Sequence, residues 1–199
     1  MVKFLFDLDG TITKQETLPI IASHFRIKDR IDQLTKETVA GNVPFIESFI
    51  RRVHILSDFP VDEVAELLSQ VEFYPKIVEF IQLHDIACHV VTGNLSCWIS
   101  LMMQRIGCTY FASEALVKDN HIEKLVSILR KEDIVKKFQE EGHRVVFIGD
   151  GNNDVEAMRH ADVSIASSLT HEPTASVLSV TDYWVLNEVS LCRQLNQLL

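Results

Sequence analysis

Residues 2–11 read Val2-Lys3-Phe4-Leu5-Phe6-Asp7-Leu8-Asp9-Gly10-Thr11. A short apolar run stops on two aspartates one residue apart. The run has the length and composition of a strand buried on both faces of a parallel sheet. Carboxylates so close repel each other, so they need a reason to stand at the end of a buried strand. In an open α/β sheet the carboxyl ends of the strands are where ligands bind.

Further runs of the same kind are Ala87–Val91, Arg144–Ile148, Val163–Ala166 and Tyr183–Leu186. Helical patterns lie between them. Ile77, Phe80, Ile81 and His84 share one face, as do Ile134, Val135 and Phe138. Strand and helix alternate, which predicts an α/β, Rossmann-like fold: a mainly parallel sheet with helices on both faces. Glu114–Leu125, with Asp119-Asn120 at its middle, reads as a β-hairpin.

From about Glu16 to Val71 the alternation breaks and no strand is evident. Apolar residues recur at helical spacing in three sets: Ile27/Ile31/Leu34, Ile46/Phe49/Ile50/Val53/Leu56 and Val61/Val64/Leu68. Turn signals at Gly41-Asn42-Val43-Pro44 and Asp58-Phe59-Pro60 separate them. The expected organisation is a catalytic core of residues 1–13 and 76–199 with a helical-bundle cap at 14–75.

The chain has 199 residues, 47% hydrophobic, with a net charge of −9. That charge points away from nucleic acid and anionic membrane, both of which are bound through basic patches. No run has a signal peptide's layout or reaches the ~20 apolar residues of a membrane span. The four cysteines form no C-x-x-C pair and read as buried thiols in a reducing cytoplasm. The eight histidines form no H-x-x-x-H or H-E-x-x-H pattern.

The chemistry concentrates after three strands. Asp7-Leu8-Asp9-Gly10-Thr11 follows the first, Thr92-Gly93-Asn94 the second and Gly149-Asp150-Gly151-Asn152-Asn153-Asp154 the third. Four carboxylates on one sheet edge (Asp7, Asp9, Asp150, Asp154) call for a hard divalent cation, with Mg²⁺ the usual one beside phosphate. Gly10, Gly93 and Gly151 suit tight turns and close approach of backbone N–H groups to an anion. Thr92 is expected near a helix N-terminus. Metal and anion cradle together suggest phosphoryl chemistry. Asp7 is best placed as nucleophile, and Asp9 as the acid and then the base. A lysine should balance the transferred group: Lys131 is favoured, with Lys118, Lys124, Lys136 and Lys137 as rivals.

Over nearly the whole chain these residues resemble the haloacid dehalogenase superfamily of phosphatases. Its D-x-D-x-[TV] motif matches Asp7–Thr11, its strand-ending Thr/Ser matches Thr92, its Lys matches Lys131, and its G-D-x-x-x-D matches Gly149-Asp150…Asp154. The resemblance implies an Asp7 nucleophile and an Asp9 acid/base. It also implies Mg²⁺ held by Asp7, the Asp9 carbonyl and Asp150, with Asp154 in support. Among capped members the likeness is to the phosphoserine phosphatases, which implies a small phosphate ester as substrate, phosphoserine or a similar amino-acid phosphate. On that likeness Glu16 meets a substrate ammonium, Arg52 a carboxylate and Phe45 screens the site, while Gly93, Asn94 and Asn153 line it. Gly10 and Asn94 depart from the pattern, which has Ser and Gly there.

Helix geometry tests Arg52 separately. At about 100° per residue, Arg52 lies roughly 95° from the centre of the Ile46–Leu56 stripe and Arg51 roughly 165°. Arg51 should face solvent and Arg52 should border the buried face. Two other readings keep the scaffold: a phosphatase or phosphotransferase for a different phosphometabolite, and a catalytically idle binding protein.

Overall fold

The computed structural model describes residues 1–39 and 42–199. At Val39 and Phe45 only the backbone is described, so Gly41 and the Phe45 side chain lie outside the described set.

Seven strands form one sheet in the order β4-β3-β2-β1-β5-β6-β7. They are β1 (Val2–Phe6), β2 (Cys88–Leu95), β3 (Thr109–Lys118), β4 (His121–Ser127), β5 (Arg144–Gly149), β6 (Val163–Ser167) and β7 (Tyr183–Val185). Every pairing is parallel except β3 with β4. The opening run is therefore the central strand. Phe4, Leu5 and Phe6 are fully buried, and they divide by the two-residue period of a strand. Phe4 and Phe6 enter the larger apolar core on one face, while Leu5 joins Val135, Phe138 and Phe147 on the other.

The helices of the core are α5 (Pro75–Leu83), α6 (Ser96–Ile106), α7 (Lys131–Glu140), α8 (Val155–His160), α9 (Ala175–Leu178) and α10 (Glu188–Leu198). Between β1 and α5 lie α1 (Thr17–His24), α2 (Lys28–Val39), α3 (Phe45–Leu56) and α4 (Val61–Ser69). The chain leaves and re-enters the sheet region side by side. Thr13 and Phe73 form an antiparallel bridge, Lys14 N–H donates to the Glu72 carbonyl at 2.9 Å and Tyr74 N–H to the Ile12 carbonyl at 3.0 Å. The inserted helices share the core of the sheet's first face: Ile21, Val53, Leu56, Val64 and Leu68 belong to the same cluster as Phe4 and Phe6.

Several expectations need correction. β2 runs on to Leu95, so Thr92-Gly93-Asn94 lie within the strand, at a register irregularity between Val91 and Leu95. Thr92 is thus four residues short of α6, not at its N-terminus. The hairpin is present, with Asp119 and Asn120 at φ +48° and +63°, the primed-turn conformation. Its first strand, however, starts at Thr109 and pairs in parallel with β2, a segment with no clear period in the sequence. β7 is an edge strand with Tyr183 and Trp184 exposed, so only part of that run is covered. On α3, Ile46 and Ile50 are exposed, and the buried side is Ser48, Val53 and Leu56 with Phe49 half-buried. The helix is rotated about its axis relative to the hydrophobic stripe, because a part-buried hydrogen bond from Thr38 Oγ1 to Ser48 Oγ (2.6 Å) secures the Ser48 side against α2. The four cysteines are free, but only Cys88 is buried.

Candidate active site

The sheet order explains why three separated motifs meet. β1 has β2 on one side and β5 on the other, so the residues following Phe6, Val91 and Gly149 are neighbours at the carboxyl edge. A cavity of about 270 Å³ opens there. Asp7, Asp9, Thr92, Gly93, Asn94, Asp150, Gly151 and Asn153 line it from the core, and Glu16, Thr17, Arg52 and neighbouring apolar side chains from the inserted helices.

Asp7 is almost fully buried. Its Oδ1 accepts from Leu8 N–H at 2.8 Å and from Lys131 Nζ at 2.5 Å, while Oδ2 has no donor among the described residues. Lys131 Nζ also reaches Asp154 Oδ1 at 2.6 Å. Asp154 Oδ2 accepts from the backbone N–H groups of Asp150 (3.1 Å) and Gly151 (3.0 Å), so this carboxylate both holds the loop and anchors the lysine. The rival lysines 118, 124, 136 and 137 are all exposed.

Burial raises the Asp7 carboxyl well above the usual range, and Asp154 adds to the rise against the pull of Lys131. Burial works against a charged Lys131 too, but Asp154 and Asp7 outweigh it and hold the ammonium above its ordinary value. Asp9 is also raised by burial, opposed by its hydrogen bonds. Its Oδ1 accepts from Thr17 N–H at 2.9 Å and its Oδ2 from Asn94 Nδ2 at 3.4 Å. Asn94, the departure from a glycine, therefore steadies Asp9; its amide also reaches Thr17 Oγ1 at 2.9 Å.

Gly10 is the other departure, and its backbone requires it. Its φ is +73°, and a Cβ there would lie 2.7 Å from Asp150 Oδ2 and 2.9 Å from Glu16 Oε1. Gly93 and Gly151 have no positive φ, so left-handed backbone does not explain them. Arg51 is exposed and paired with Glu47, as its helical angle suggested. Arg52 lines the cavity, and its Nη2 donates to Thr35 Oγ1 at 3.1 Å.

Could a cation sit here? Carboxylate oxygens of Asp7, Asp150 and Asp154 lie within 4.8 Å of one another, all three residues are buried, and the donor set is oxygen only. Lys131 is the one lysine or arginine paired with them among the described residues. An all-oxygen set of three aspartates suits a hard divalent ion. The residues present fit Mg²⁺.

One residue of the site was not foreseen. His171, in the loop after β6, places Nε2 at 2.7 Å from Asp150 Oδ2 and 3.2 Å from Glu16 Oε1. The rule used for the other strand ends, extended to the strand next to β5, would have found it. The same loop is tied to the base of the insertion: Tyr74 Oη donates to the Leu169 carbonyl at 2.7 Å, and Thr170 Oγ1 to the Thr13 carbonyl at 3.3 Å. The hydrogen bond to Asp150 raises His171 to about 9. Burial, then Asp9 and Asp150, raise Glu16 to about 7. The stability that His171 adds in the metal-free protein is complete below its unfolded value near 6.5 and is lost as pH rises through about 9. The melting temperature should therefore fall between pH 6.5 and 9, and more steeply than in His171→Gln. Parallel curves for the two proteins would refute this contribution.

An α/β sheet with a D-x-D strand end, a buried lysine and an acidic loop beside it defines a phosphoryl-transfer type of hydrolase site. Residues 4–162 match the haloacid dehalogenase-like hydrolases, and the chain belongs to that family. It is similar to a phosphoserine phosphatase of Methanocaldococcus jannaschii, 27% identical over 81% of this chain and 83% of that protein. It is also similar to a 2-hydroxy-3-keto-5-methylthiopentenyl-1-phosphate phosphatase of Lysinibacillus sphaericus, 23% identical over 80% and 79%. A solved phosphoserine phosphatase in a phospho-aspartyl intermediate analogue state superposes with a TM-score of 0.79, at 22% identity, over 98% of this chain and 97% of that one. The chain is thus a phosphoserine phosphatase-like hydrolase in sequence and fold.

Proposed function

We propose that this protein hydrolyses the phosphate monoester of a small metabolite through an aspartyl-phosphate on Asp7. The observation that carries the reading is the buried contact of Lys131 with Oδ1 of the cavity-lining Asp7, which leaves Oδ2 without a donor among the described residues and available as the attacking oxygen. Asp7 Oδ2 bonds to phosphorus as the ester P–O bond breaks. Asp9, raised by burial, gives its proton to the leaving alkoxide. Water then attacks the phospho-Asp7 phosphorus, Asp9 takes the proton back, and inorganic phosphate leaves. Lys131 balances the charge of the transferred group, and Thr92, Gly93, Asn94 and Asn153 line its seat. Asp7, Asp150 and the Asp9 carbonyl would hold Mg²⁺, with Asp154 in support; when bound, the ion neutralises phosphate charge and orients it.

Residues 14–75 act in this reading as a cap over the core of 1–13 and 76–199, excluding water until the ester is seated. Free cysteines suit a reducing cytoplasm, and no described helix is long and apolar enough to cross a membrane. A phosphoserine-like substrate is supported by the names of relatives, and a carboxylate on the substrate by Arg52 lining the cavity. The methylthiopentenyl relative, whose substrate name carries no amine, supports a second ester class on the same chemistry. Phosphate release with Mg²⁺ over a panel of small esters that includes phosphoserine and p-nitrophenyl phosphate tests the reading. Turnover of at least one ester is expected, and silence across the panel refutes it.

A further inference from the structure

The cavity wall facing the carboxylates is apolar. Leu18 and Ile21 of α1, Phe49, Val53 and Leu56 of α3 and Trp98 of α6 all line it. Ile21, Val53, Leu56 and Trp98 belong to the core cluster that joins the inserted helices to the sheet, and Leu18 and Phe49 pack against it, so the cavity is cut into that core. A phosphorylated amino acid beyond its phosphate is short and strongly polar, and would leave such a wall without a partner. Arg52, set between Phe49 and Val53 on α3, is the one lysine or arginine lining the cavity among the described residues. Glu16, the carboxylate positioned to answer an ammonium, already has Nε2 of His171 at 3.2 Å from its Oε1. An incoming ammonium would have to displace that contact.

Resting on the phosphatase reading above, we infer that the ester carries an apolar body ending in a carboxylate, with no ammonium. His171 is the specificity-determining residue that turns ammonium substrates away by occupying Glu16. The apolar body lies against Phe49, Leu56 and Trp98, and its acid meets Arg52.

The Mg²⁺-loaded enzyme distinguishes these cases through kcat/KM for four compounds: O-phospho-L-serine, 3-(phosphonooxy)propanoate, 6-(phosphonooxy)hexanoate and p-nitrophenyl phosphate. The propanoate, which lacks only the ammonium, should exceed phosphoserine. The hexanoate should exceed the propanoate by roughly fourfold per added methylene, about 60-fold in all. His171→Ala should raise the phosphoserine-to-propanoate ratio by about tenfold, a ratio that general damage to the fold does not move. Phosphoserine preferred over both acids, with p-nitrophenyl phosphate also hydrolysed, overturns this inference and leaves the phosphatase reading standing. An unchanged ratio in His171→Ala removes the role given to His171. No turnover of any of the four overturns the phosphatase reading, and this inference with it.

Discussion

Lys131→Met is expected to lower the stability of the metal-free protein by about 3–5 kcal/mol, the usual cost of removing one partner from a buried ion pair. Lys131 is buried, and its ammonium stands between Asp7 Oδ1 at 2.5 Å and Asp154 Oδ1 at 2.6 Å. Methionine fills similar space but leaves two buried carboxylates facing each other. Because Lys131 is raised above its ordinary value, its stabilisation is complete at neutral pH and is lost only as pH rises through that higher value. The deficit in the variant should shrink on acidification, as Asp7, itself raised, takes up a proton. Mg²⁺ should restore part of the loss by supplying the missing charge. Urea denaturation at pH 5 and pH 7.5, with and without Mg²⁺, measures all three effects. A midpoint unchanged from the native protein at pH 7.5 would mean that Lys131 does not hold the cluster.

Asp7→Asn should lower turnover of any accepted ester by at least about 10⁴-fold, or roughly 5.5 kcal/mol of lost transition-state stabilisation. No other described side chain has a buried carboxylate oxygen bordering the cavity at the end of the central strand with Lys131 on its partner oxygen. The same change should not destabilise the fold. Burial and Asp154 push Asp7 toward its neutral form, so a neutral amide relieves repulsion and the denaturation midpoint should stay level or rise. Loss of activity with retained stability separates a reacting group from a structural one. Rapid quenching with radiolabelled ester provides the direct check: native protein should retain acid-stable label and Asp7→Asn none. Labelled variant protein would place the covalent step on another residue.

Much of the site was legible because its signals are local. Asp7, Asp9, Thr92 and Asp150 sit at or near the ends of apolar runs, and run length and composition are properties of adjacent residues. Lys131 was favoured by its place before the third strand and by the family motif, but spacing left four rival lysines open, since it does not say which of them a fold buries. The structure buries Lys131 and leaves the other four exposed. Helix periodicity failed on α3, where Ile46 and Ile50 face out. The stripe marks which residues prefer burial, but the partner that α3 meets, through Ser48 and Thr38, determines its rotation. β3 escaped because its N-terminal half gains a strand's pairing only from β2.

By itself the sequence determined the α/β class, the helical insertion and the aspartates at strand ends, since each rests on short-range pattern. Tertiary structure alone decided that β1 is central, which brings the three motifs together. It also set Gly10 at φ +73° close against Asp150 and Glu16, where a side chain would be strained. It set His171, 155 residues along the chain from Glu16, within hydrogen-bonding distance of it. The physical reason is common to all three: distances between residues far apart in the chain depend on which faces pack together, and no local period encodes that choice.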